Sequence, residues 1–105
     1  MANVELDERL ARLAEALDDV TAQSRSGATE YSRSGTVFAA RTTEESIELR
    51  LGSEITEAAG RTPGTSASAR GEEWVRFAPR EWDPHATDRL EAWFRVAWRL
   101  AQKRG

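Results

Sequence analysis

The 105-residue chain has no cysteine, which removes disulfides, thiol catalysis, iron-sulfur ligation and cysteine-based zinc sites together. His85 is its one histidine and Lys103 its one lysine, so fourteen of the fifteen basic residues are arginine. A metal site would therefore have to be built from carboxylates, and the acids show no Asp-x-Asp spacing to support one. No metal or cofactor is expected. No apolar run approaches the roughly 18 to 20 residues that span a bilayer. The first twenty residues are acidic, unlike the basic and then apolar order of a secretory signal. These absences give the expectation of a cytoplasmic protein with no membrane partner.

Charge of one sign is also missing. Fifteen bases against eighteen acids leave a net charge of −3, which excludes the chain-wide basic coat of a non-specific nucleic-acid binder. Any phosphate contact must be local. Residues 1–20 are the most acidic stretch, with six acids against Arg9 and Arg12, while residues 70–105 carry eight bases and six acids. Arginine in place of lysine suits planar, bidentate anion contacts, but a GC-rich coding bias is the preferred account.

Hydrophobic spacing places the elements. Leu6, Leu10, Leu13, Leu17 and Val20 recur at steps of four and three, the stripe of an amphipathic helix that should stop near Asp18. Asp19 to Gly27 reads as a connector, since its Thr, Ser and Gly residues favour local side-chain bonds over helix. TEYSR and TVFAAR, parted by Ser34-Gly35, read as two strands of a hairpin. A turn over Thr42 to Glu45 leads to SIELRL, where Ile47, Leu49 and Leu51 alternate with polar residues in period two. EITEAAG reads as a short helix with Ser53 capping and Gly60 closing it. Residues 61–71 hold no large apolar side chain and read as a loop. WVRFAP is a fourth strand ended by Pro79. Asp83-Pro84 then starts a long helix with Leu90, Trp93, Phe94, Ala97, Leu100 and Ala101 on one face and Arg99, Lys103 and Arg104 near its end. The expectation is a single α+β domain over 1–105. It is a two-layer sandwich of order α-β-β-β-α-β-α, with an antiparallel sheet covered on one face by the N- and C-terminal helices.

Ala16-Leu17-Asp18-Asp19-Val20-Thr21, EYSRSGTVFA, IELRLGSEITEAA, EWVRFAPREWD and DRLEAWFRVAWRLA together resemble the MmcQ/YjbR-like group of small bacterial proteins, over roughly residues 5–102. The resemblance implies a frataxin-like α+β fold and the DNA-binding label often attached to that group. Asp18 stands where the group often has proline, and Glu72-Glu73 precedes Trp74 where glycine is usual. A looser similarity is to a small luciferase-like family.

Alternation also sets out a candidate site. If Ile47, Leu49, Leu51, Val75 and Phe77 face the helices, then Glu48, Arg50, Trp74 and Arg76 face away from them. An aromatic ring between guanidinium groups can stack a base or hold an anion. The expected nucleic-acid or ligand-binding set is Arg33, Arg41, Arg50, Trp74 and Arg76, with a homodimer contact through Trp74 as the other use of that face. A third reading is an enzyme in which His85, beside Asp83, activates Ser66 or Ser68. A solvated first-turn position is the preferred reading of His85. GRTPGTSASARG lacks both the Gly-Lys-Ser/Thr ending of a phosphate loop and the Gly-x-Gly-x-x-Gly spacing of a dinucleotide site. The leading expectation is a binding or interaction domain without catalytic activity.

Overall fold

The computed structural model describes residues 4–25, 27–42 and 46–104. Along the chain these form α1 (Val4–Ala16), β1 (Val20–Arg25), β2 (Ala28–Arg33), β3 (Thr36–Arg41), β4 (Ile47–Arg50), α2 (Ser53–Ala59), β5 (Thr65–Ala67), β6 (Trp74–Phe77) and α3 (Pro84–Arg104). The strands make one antiparallel sheet in the order β1-β2-β3-β4-β6-β5. α1 and α3 cover one face of it, so the α+β two-layer sandwich read from the sequence is the fold, with two further strands. No helix among the described residues is long and apolar enough to cross a membrane. The expected turn over Thr42 to Glu45 lies outside the described residues from position 43 onward, as do the side chains of Lys103 and Arg104.

Leu6, Leu10 and Leu13 bury the predicted stripe of α1, and Leu17 packs at its margin. Val20 continues that spacing but belongs to β1. Asp19 takes a φ of 60°, a left-handed conformation that Asp tolerates better than most residues, and this turns the chain out of the helix and into the sheet. The segment read as a connector is therefore an edge strand, exposed along nearly its whole length.

The Ser34-Gly35 turn is as the sequence predicts. Both residues have positive φ, 51° and 84°, as a two-residue type I′ hairpin requires. Within that hairpin Tyr31 pairs with Ala39 and Ser32 with Val37, leaving Phe38 as the extra residue of a bulge. The bulge lets Phe38 join Ala39 on the helix side, where both are fully buried. Tyr31 and Phe38 then meet the edge of Phe94 of α3, at ring distances of 5.4 and 5.2 Å. Beyond them Ile47, Leu49, Val75 and Phe77 extend the same core, with Phe77 against Trp82 and Trp93.

Two details of the helix ends depart from the sequence reading. The N-cap of α2 is Gly52, with no side-chain capping bond, and Ser53 is already helical. Gly60 closes α2 in a right-handed conformation. α3 starts as expected, with the Ala86 amide donating to Asp83 Oδ1 at 2.8 Å. The segment read as loop contains β5. It leaves α2 through Gly64, whose φ is 90° and where a Cβ would lie 2.9 Å from Pro79 Cα, so only glycine lets the two backbones approach this closely.

Candidate binding face of the sheet

The face of the sheet away from α1 and α3 is set by cross-strand register. Gln23 pairs with Glu30, Glu30 with Ala40, Ala40 with Glu48, Glu48 with Arg76, and Arg76 with Ser66. These six side chains form one row on the outer face, because directly opposed residues of neighbouring strands share a face. The next pair along, Arg50 with Trp74, continues it.

Of the five residues expected to act together, Arg50, Trp74 and Arg76 lie on this face. Arg33 and Arg41 do not. Arg33 shares a face with Tyr31, and Arg41 with Ala39, so both point to the helix layer and are buried there. The Arg33 guanidinium lies 3.8 Å from the Trp98 ring centroid and donates to the Trp98 carbonyl at 3.2 Å. Arg41 pairs with Asp7 of α1 at 2.9 Å and donates to the Thr42 carbonyl. The correction follows from strand alternation applied to β2 and β3: these two arginines fasten helices to the sheet.

The residue that organises the outer face is one the sequence reading passed over. Arg70, from the chain between β5 and β6, reaches Glu30 at 3.1 Å and Glu48 at 3.2 Å, with its guanidinium 5.3 Å from the Trp74 ring centroid. The Ser68 hydroxyl bonds the Glu48 carboxylate and also accepts from the Arg70 amide at 3.1 Å. Arg50 pairs with Glu73 at 3.2 Å. Trp74 is consequently only 9 % exposed. A base stacking on that ring would first have to displace Arg70. The signal for Arg70 in the sequence is slight: one long cation in a run of small residues, four positions before a tryptophan.

His85 is exposed in the first turn of α3 and lines an open groove with Thr62, Gly64, Pro79, Arg80 and Arg89. Ser66 and Ser68 face the other side of the sheet, and the structure does not bring either to His85. Among the described residues no three His, Asp or Glu side chains gather as metal ligands would.

Comparison with known proteins finds no matching family model, no matching curated protein and no matching solved structure.

Proposed function

We propose that the protein is a cytoplasmic, non-catalytic binding domain of MmcQ/YjbR-like type, and that it takes a protein partner on the outer face of the sheet. The observation that carries this reading is the Arg70 cluster. A face without helix cover holds a fixed arrangement of three guanidiniums, Arg50, Arg70 and Arg76, interleaved with Glu30, Glu48 and Glu73, over one tryptophan. Alternating charge with an aromatic centre suits a partner surface that is itself mixed in sign, and such complementarity selects partners more than it adds affinity. The separation of His85 from both serines supports reading His85 as a surface residue and not as a base for either of them.

The test is a comparison of faces. Arg50→Glu with Arg76→Glu should abolish partner capture, while Arg95→Glu on the exposed side of α3 should leave it intact. Equal capture by both variants would overturn the assignment of the face.

A second reading, DNA binding, draws on Arg25, Arg50, Arg70 and Arg76 sharing that face. It is tested by anisotropy titration of duplex and single-stranded DNA at low and moderate salt. Salt-sensitive binding lost in Trp74→Ala and Arg76→Ala would establish it, because phosphate contact releases counterions. The three carboxylates and the net charge of −3 predict no binding at low salt.

A further inference from the structure

The two edges of the sheet are built differently. β5 has three residues and enters through Pro63-Gly64, the short and interrupted kind of edge that resists pairing. β1 has six residues in unbroken register with β2, from Val20 opposite Arg33 to Arg25 opposite Ala28. It has no proline, no lysine and no bulge, and among the described residues its far side pairs with no strand, leaving a row of backbone donors and acceptors.

The ends of this strand are charged and unmatched. Asp19 immediately precedes it and Arg25 closes it, and neither side chain has an ion pair or hydrogen bond among the described residues. Between them Val20, Thr21, Ala22, Gln23 and Ser24 are uncharged. Antiparallel pairing of two such segments about Ala22 sets Asp19 opposite Arg25 at both ends, Val20 opposite Ser24, Thr21 opposite Gln23, and Ala22 on the axis. Within the strand each opposed pair keeps its residues on one face of the sheet, since their positions sum to an even number, and Asp19, in the turn just before Val20, comes beside Arg25 of the second copy. Parallel pairing in register would instead oppose acid to acid and base to base.

We propose that β1 is a self-association edge. Two copies of this chain join through antiparallel β1 strands about a two-fold axis at Ala22, closed at each end by an Asp19–Arg25 pair. The contact is isologous, as a two-fold dimer requires, and it doubles the sheet without using the outer face. Ala22 and Ser24, small and on the helix side, leave room where the two helix layers approach.

The experiment uses paired charge reversals. Arg25→Asp carries acid at both ends and Asp19→Arg carries base at both ends, so each alone meets like charge across the axis while the two together are complementary. Sedimentation equilibrium on the full chain, over a concentration series reaching millimolar, should show twice the 11.7 kDa chain mass for the wild type. Each variant alone should have its dissociation constant raised at least about tenfold, and the equimolar mixture should regain the dimer. Recovery on mixing shows that both variants are folded. A wild type that stays at single-chain mass, variants that dimerise as the wild type does, or a mixture no tighter than its components would each overturn the proposal.

Discussion

Without Arg70, Glu30 and Glu48 would sit on the sheet with no guanidinium between them, and both carboxylates are largely buried, at 17 % and 11 % side-chain exposure. An acid left in such a place keeps its desolvation cost and loses its compensation. Arg70→Ala should therefore lower stability by about 1 to 3 kcal/mol, the partial exposure of Arg70 itself holding it below the fully buried case. Urea unfolding reads that loss, and iodide quenching should report a newly accessible Trp74. Arg70→Lys keeps the charge but not the planar fork that reaches two carboxylates, so it should fall between wild type and alanine. Tyr31 gives a pH dependence of known sign. Burial first, and Asp7 second, push its hydroxyl above the ordinary value of 10.0, with Arg41 pulling the other way. The folded chain thus holds a proton that the unfolded chain releases earlier. Its contribution to stability is whole below about pH 10 and falls as the pH rises toward the folded value. Tyr31→Phe should flatten the decline in melting temperature between about pH 9 and pH 11. As this is the sole tyrosine, its ultraviolet titration in the wild type locates the shift directly.

At the scale of elements, the two helix starts that looked alike in sequence are physically different. Asp83 holds the Ala86 amide at 2.8 Å, whereas α2 begins at Gly52 with no side-chain cap. Asp83→Ala should cost about 1 kcal/mol, while Ser53→Ala should stay within about 0.5 kcal/mol of wild type; thermal melts of the two variants make the comparison. The same contrast explains which elements could be read in advance. α1, α3, β4 and β6 present their core residues at periods of 3.6 or 2, while the β2–β3 hairpin is marked by its Ser34-Gly35 turn and not by period, since the bulge puts Phe38 and Ala39 on one side. β1 is exposed nearly throughout and β5 is three residues long, so neither needs apolar alternation, and neither leaves a pattern. Val20 falls within the helical stripe by spacing alone, which cannot register the left-handed turn at Asp19. The outer-face set was half legible for a related reason. Strict alternation holds through β4 and β6 and identifies Arg50, Trp74 and Arg76. Assigning Arg33 and Arg41 required knowing that Tyr31 and Ala39 face the core, and Arg70 reaches the face from a segment whose path no periodicity constrains.

For the whole molecule, the two layers are held by one hydrophobic cluster that draws on α1, α3 and five of the described segments between them, with polar ties at its rim: Arg41 to Asp7, Arg9 of α1 to Glu91 of α3 at 3.1 Å, and the Trp98 indole to the Asp18 carbonyl at 2.8 Å. These ties connect the N-terminal helix to both the sheet and the C-terminal helix, so no large part of the core can open without disturbing the rest. Cooperative unfolding is the consequence, with far-UV circular dichroism and tryptophan fluorescence following one transition in urea. Phe94 is the position at which to test it. Fully buried, it receives Tyr31 and Phe38 edge to face and sits midway along α3. Phe94→Ala removes the ring that both strands of the hairpin pack against, at a cost of about 3 to 5 kcal/mol. A chain of this length has a total of roughly 5 to 15 kcal/mol, so the midpoint should fall steeply while the two probes remain coincident. If fluorescence and dichroism separate in this variant, the helix layer and the sheet are distinct cooperative units, and the rim ties do not couple them.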